Sequence, residues 1–115
     1  MIIQAPILET DRLILRAHRR DDFEDLVKLW ADPLVVRYIL PAPAPRDVTW
    51  SRLLRYAGHW ALLGYGYWVV ESKTDQTFMG EVGLADYQRA MTPPLAPIPE
   101  AGWVLAPAAH GKGYA

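Results

Sequence analysis

The residues with the clearest chemical purpose lie at the end of the 115-residue sequence, between Ala101 and Ala115. Trp103, Val104 and Leu105, closed by Pro107, make a short apolar run of the kind that forms a buried strand. That strand delivers His110, Gly111, Lys112, Gly113, Tyr114 and Ala115, a turn punctuated by glycines. Glycine lets successive backbone amides turn inward, and several N–H groups converging on one point bind an anion such as phosphate. A helix after the turn would add its N-terminal partial charge, and the sequence to Ala115 holds no such helix. Taken alone, two glycines one residue apart serve a plain surface turn equally well. Neither familiar phosphate motif fits. Lys112 is followed by Gly113 rather than the Ser or Thr of a Walker loop, and no third glycine completes a dinucleotide fingerprint.

These residues need a scaffold, and hydrophobic spacing predicts one. Arg12 to Arg16 alternates, with Leu13 and Leu15 on one face and Arg12, Ile14 and Arg16 on the other, as a first strand does. Arg12 and Arg16 are expected to be solvated. Asp21, with Glu24 three residues on, suits a capping box for a helix with apolar positions Phe23, Leu26, Val27 and Trp30, ending near Asp32 and Pro33. Leu34 to Leu40 reads either as a short helix or as an irregular connector, and Pro41 to Pro45 as a stiff spacer. Trp50, Leu53, Leu54, Ala57, Trp60 and Ala61 then recur at helical spacing, with Arg46, Asp47, Arg52 and Arg55 off that stripe. Gly64 to Gly66 ends this second helix. His59 has no visible partner and receives no role.

Two runs rich in strand formers, Tyr67 to Val70 and Phe78 to Leu84, form an antiparallel hairpin across the polar turn at Ser72 to Thr77. Phe78, Gly80, Val82 and Leu84 fall on one face, and Gly80 and Gly83 mark a bulge or a close approach of another backbone. The four-proline stretch from Asp86 to Pro99 either lines a site or is a passive surface excursion.

Composition narrows the function classes. With 51% hydrophobic residues, five Trp and six Tyr, the chain is a single globular domain rather than a disordered segment. A formal net charge of -1 argues against a nucleic-acid partner held by field alone. Absence of cysteine excludes disulfides and thiol chemistry, and no motif suggests a metal. No apolar run spans a bilayer and Met1 to Pro6 lacks the pattern of a signal peptide, so a cytoplasmic protein without a membrane partner is expected.

The terminal turn resembles the acyl-coenzyme A signature of the GNAT N-acetyltransferase superfamily, with His110, Gly113 and Ala115 at its key places and His110 standing where Arg or Gln is usual. Leu8 to Arg16, followed by Asp21 and Asp22, and the run Met79 to Leu84 resemble the branch that includes the ribosomal-protein N-terminal acetyltransferases. The resemblance implies an α+β fold of order β-α-α-β-β-β, a mostly antiparallel sheet with helices packed on it, ending at the pyrophosphate turn. It implies acetyl-coenzyme A as acetyl donor and a primary amine as acceptor, either a protein N-terminus or a small molecule. The backbone of Trp103, Val104, Leu105 and Ala106 would pair with the pantetheine arm, as an added strand pairs with a sheet edge. His110, Gly111, Lys112, Gly113, Tyr114 and Ala115 would hold the pyrophosphate. Glu100 would be the general base, and Tyr38 or Trp50 would border the acceptor pocket, though core packing explains Trp50 as well.

By this resemblance, residues 1–115 are expected to be a single GNAT domain without its C-terminal part, which would supply the helix after the turn and the general acid. Strand Ala101 to Leu105 is then expected to have an exposed edge and an uncovered face, which favours a homo-oligomer through strand pairing or swapping. The function expected is N-acetyl transfer; a non-catalytic acyl-coenzyme A-binding or dimerising half-domain is the alternative.

Overall fold

The short alternating segments of the sequence assemble into one antiparallel sheet. The computed structural model describes residues 5–37, 39–86 and 100–107. Its strands are β1 (Leu8–Glu9), β2 (Leu13–Arg16), β3 (Tyr67–Ser72), β4 (Phe78–Ala85) and β5 (Glu100–Leu105), in the order β1-β2-β3-β4-β5. Strand β1 was not anticipated; the Thr10 hydroxyl closes its turn by accepting hydrogen bonds from the amides of Arg12 and Leu13 at 3.3 and 3.0 Å. Leu13 and Leu15 pack with Val70 and Met79, so the alternation in the first long strand reads correctly.

The β3–β4 hairpin forms as expected but with a bulge that changes which residues share a face. Gly80 pairs with Val70 and Phe78 with Glu71, so Met79 is one residue in excess. The bulge turns Phe78 toward the cluster of Leu29, Trp30, Val35, Val36 and Val104, whereas Val82 packs beside Val70 and Met79. The even spacing of Phe78, Gly80, Val82 and Leu84 therefore does not place them together. Gly80 has φ 145°, and a Cβ there would lie 2.1 Å from the Val104 carbonyl oxygen, so only glycine lets β5 close against the bulge.

Between β2 and β3 the chain makes a 3-10 turn at Arg20–Asp22, then α1 (Phe23–Ala31), α2 (Pro33–Val36) and α3 (Arg46–Leu63). The expected capping box is replaced by another arrangement. The Asp22 carboxylate accepts from the Arg19 amide at 2.6 Å, and Glu24 instead pairs with Arg46 at the start of α3. Asp32 caps α2 by accepting from the Leu34 amide, with Pro33 at the first helical position, so Leu34 to Val36 are helical while Arg37, Ile39 and Leu40 lie in turns, and the segment is part helix and part connector.

In α3 the buried residues are Thr49, Leu53, Tyr56 and Trp60, while Trp50, Leu54, Ala57 and Ala61 are exposed. The apolar stripe read from sequence lies about one residue away from the true inner face. The reason is that the sheet under α3 offers polar partners, Glu81 and His18, which Tyr56 and its neighbours meet.

Arg16 also departs from expectation. Its side chain is only 12% exposed and ties three elements together, contacting Asp22 at 2.7 Å and Glu71 at 2.8 Å. Burial alone would raise the Asp22 carboxyl, but hydrogen bonds from Arg16 and the Arg19 amide outweigh it and hold the carboxyl below its ordinary value. The helices cover one face of the sheet. On the other, Leu8, Leu84 and Trp103 are exposed among the described residues, Trp103 to 63%. No described helix is long and apolar enough to cross a membrane.

Candidate functional site

Strand β5 ends the described sheet, and a cavity of about 450 Å³ opens between it and the helices. Its wall on β5 is Gly102, Val104 and, between them, the strand at Trp103, whose side chain turns to the open face with Val82; opposite stand Trp30 of α1, Leu40 after α2, and Arg52, Arg55 and Tyr56 of α3. Tyr67 of β3 forms the floor. A Cβ at residue 102 would fall 2.2 Å from the Tyr67 hydroxyl oxygen, so Gly102 is what lets β5 cross this phenol.

The helical wall comes from Arg52, Arg55 and Tyr56, which fall on one side of α3 because they recur at intervals of three to four residues. Beneath them Glu81 is fully buried on β4, paired in register with Val104. The indole N–H of Trp30 donates to Glu81 Oε1 at 2.7 Å. His18 Nε2 stands 3.5 Å from Glu81 Oε2, within ion-pair reach but out of hydrogen-bond alignment. The His18 ring packs 4.3 Å from that of Tyr56, which stacks at 5.3 Å on Tyr67. A buried carboxylate is costly without partners, so this aromatic and imidazole surround is what makes the position tenable.

Burial first, and then the Glu81 charge, push the Tyr56 hydroxyl far above its usual range, with Arg52 acting in the opposite sense. The phenol therefore stays protonated, its hydroxyl engaged with Glu81 and Arg52, and cannot serve there as a base. The Arg52 guanidinium lies 3.8 Å over the Trp30 ring, a stacked cation–π contact. Its Nε is buried and finds no hydrogen-bond partner among the described residues.

A second, mostly apolar cavity of about 320 Å³ lies along the end of α3, bounded by Leu62, Leu63 and Ala85, and shares Arg55, Tyr56 and Tyr67 with the first. His59 lines it and is tied at both nitrogens. Nδ1 lies 2.6 Å from the Tyr65 carbonyl oxygen and Nε2 accepts from the Asp86 amide at 3.0 Å, which defines the neutral tautomer with its proton on Nδ1. Its role is to hold the end of β4 to α3.

Of the residues anticipated from sequence, Trp103 and Val104 border the larger cavity, with Leu105 and Ala106 continuing the strand. Glu100 begins β5, in register with Ala85 and two residues before Gly102. Trp50 meets the ring of Phe23 edge-on at 4.9 Å and lines neither cavity. Tyr38 and the turn residues His110, Gly111, Lys112, Gly113, Tyr114 and Ala115 lie outside the described residues. Sequence reasoning missed Arg52, Tyr56, Glu81 and Tyr67. The spacing of Thr49, Arg52 and Tyr56 on one helix face was a signal, but polar residues on an inner face do not announce themselves by periodicity.

Residues 12–115 match the acetyltransferase (GNAT) domain family. Among solved structures, the chain is similar to a putative GNAT-family acetyltransferase from Bordetella pertussis, with TM-score 0.76 and 24% identity over 95% of this chain and 64% of that one. It is similar to an acetyltransferase from Agrobacterium tumefaciens strain C58, with TM-score 0.79 and 25% identity over 99% and 62%. A GNAT-family acetyltransferase from Bacillus anthracis gives TM-score 0.71 and 18% identity over 95% and 58%. The chain thus spans 58–64% of the length of these structures.

Proposed function

Because the chain belongs to the GNAT acetyltransferase domain family, we propose that the full-length protein transfers an acetyl group from acetyl-coenzyme A to a primary amine, and that β5 holds the donor. The observation that carries this reading is the position of β5, the last strand of the described sheet, directly beside a cavity large enough for a small acceptor. The pantetheine arm, rich in amides, pairs with the backbone of Trp103, Val104, Leu105 and Ala106. The pyrophosphate rests on the amides of the turn His110 to Ala115. The thioester then lies toward the Glu100 end of the strand, beside Gly102.

Glu100 takes the ammonium proton, directly or through a water. The free amine nitrogen attacks the thioester carbonyl carbon, the C–S bond breaks, the new amide nitrogen gives up its extra proton to solvent, and the departing thiolate takes a proton from a group outside the described residues. Holding the two reactants together is the main catalytic contribution, worth up to about 7–11 kcal/mol for well-oriented partners. The likeness of Leu8 to Arg16 and of Met79 to Leu84 to the ribosomal-protein N-terminal acetyltransferase branch supports an amine acceptor of protein or small-molecule origin.

The test is release of free coenzyme A thiol by the full-length protein given acetyl-coenzyme A and a panel of amines. Release that requires both protein and amine is expected. Acetyl-coenzyme A binding with no transfer to any amine would establish the non-catalytic binding module instead.

A further inference from the structure

The second, mostly apolar cavity is not used by the proposed mechanism. One stripe of α3 forms its wall, because Arg55, Gly58 or His59, and Leu62 recur every three to four residues, and Ala85 at the end of β4 closes the other side. The polar side chains of this described lining are already engaged within the protein. Tyr56 is hydrogen-bonded with Glu81 and Arg52, His59 is tied at both nitrogens, and Arg55, Tyr67 and Asp86 each have an interaction of their own. The two ionic members, Arg55 and Asp86, are of opposite sign. What remains for a ligand is apolar surface: Leu62, Leu63, Ala85 and the faces of the rings. Leu62 is 85% exposed and Leu63 is 48% exposed, so both gain if an apolar group covers them.

Gly58 keeps this space open. It lies inside the 18-residue helix α3, where glycine is a poorer helix former than any residue except proline. Packing does not ask for it, since a Cβ added there would meet nothing within 4 Å beyond its own stretch of helix. Gly80 and Gly102 differ in this respect, because a neighbouring strand or phenol occupies the place of their Cβ. At Gly58 the room that a side chain would take belongs to the cavity.

The cavity also adjoins the end of β5 where the thioester is placed. Ala85 of its lining is in register with Glu100, and Arg55, Tyr56 and Tyr67 are shared with the larger cavity that Gly102 borders. From this juxtaposition we infer that the second cavity receives an apolar substituent of the acceptor, which is a primary amine carrying a hydrocarbon or aromatic group of several carbons. The inference rests on the acetyl-transfer reading above and narrows its acceptor. A second ammonium group, as in a polyamine, would be desolvated against Leu62, Leu63 and Ala85, with Asp86 already engaged.

The experiment measures kcat/KM at saturating acetyl-coenzyme A for ethylamine, butylamine, hexylamine and 1,4-diaminobutane. It uses the full-length protein and its Gly58→Ala and Gly58→Leu variants. In the wild type, kcat/KM is expected to rise about threefold to fourfold with each added methylene, the worth of burying one. Butylamine should exceed 1,4-diaminobutane by about 10-fold or more. Gly58→Leu fills the cavity and should lower the ratio of hexylamine to ethylamine by about 10- to 100-fold, with Gly58→Ala falling between. The wild-type series decides the matter should the leucine variant fail to fold. Rates independent of chain length, a preference for the diamine, or an unchanged ratio in folded Gly58→Leu each overturn the inference and leave acetyl transfer intact. So does a flat series together with a dimeric mass in light scattering that Gly58→Leu reduces to a monomer, which assigns the cavity to a second copy of the chain. Absence of transfer to every amine defeats both readings.

Discussion

Methionine in place of Arg16 is expected to lower the free energy of unfolding by about 3–5 kcal/mol, the usual cost of removing one partner from a buried ionic cluster. Total stabilities of domains are about 5–15 kcal/mol, so this one change threatens the fold. Asp22 is more buried than Arg16 and Glu71 about equally so, with side chains 5% and 13% exposed against 12%, and each has an oxygen within 2.8 Å of the guanidinium. Without it, among the described residues, Asp22 keeps only the Arg19 amide and Glu71 only the exposed Arg19 guanidinium at 3.8 Å, so both desolvated carboxylates lose their main partner. Adding Asp22→Asn and Glu71→Gln to the variant should restore part of the loss, because the stranded charges are then gone. A loss below about 1 kcal/mol in denaturant unfolding, the value typical of an exposed pair, would show that the cluster is not the brace described.

The same cluster sets an acid limit. The native carboxyl of Asp22 titrates below its unfolded value of about 3.9. Between the two values the unfolded chain binds more protons, so the stabilisation is fully present above about pH 4 and is lost as pH falls through the native value. In Arg16→Met, burial acts on Asp22 unopposed by the guanidinium. The gap in stability between wild type and variant should therefore narrow on acidification.

The largest expected effect on activity comes from Glu100. Under the proposed mechanism, Glu100→Gln keeps the strand and its backbone but cannot take a proton, and turnover should fall by about 10²–10⁴-fold. Acetyl-coenzyme A affinity should be retained, because the donor is held by strand backbone and by the turn. The pH profile separates this from a structural effect: the limb of kcat/KM that rises as the wild-type base deprotonates should vanish in the variant. The register supports the choice, since Glu100 opposes Ala85 and precedes Gly102 by two residues, at the end of the strand away from the turn. Equal turnover at saturating levels of both substrates would remove Glu100 from the chemistry.

What the sequence made legible was whatever depends on local pattern. The alternation of Leu13 and Leu15, the hairpin around Ser72 to Thr77 and the helix ending at Gly64 are each encoded within a few residues, and each forms. Glycine was informative for the same reason: Gly80 and Gly83 were read as a bulge or a close approach of another backbone, a bulge does form beside Gly80, and added Cβ atoms would fall 2.1 and 2.4 Å from the carbonyl oxygens of Val104 and Gly66. The misreadings of the core mostly involve partners distant in sequence. Arg16 looked solvated because Glu71 lies 55 residues away. The inner face of α3 was misplaced by about one residue because its polar members answer to Glu81, a buried charge that no periodicity predicts. The bulge at Met79 moved Phe78 to the helix side, and a period of two cannot register one extra residue. The site follows the same division: the strand that borders it could be read, whereas Arg52, Tyr56, Glu81 and Tyr67 converge only once the sheet and α3 are packed.

The central claim is that strand β5 and the turn after it hold acetyl-coenzyme A, and a calorimetric titration of acetyl-coenzyme A into the full-length protein and into Gly113→Val tests it most directly. Under the proposed function, a β-branched side chain at Gly113 would obstruct the turn that receives the pyrophosphate. Saturable one-to-one binding by the wild type, distinctly weakened in the variant, is the predicted result. No binding by the wild type, or equal affinity in the two proteins, would contradict the account.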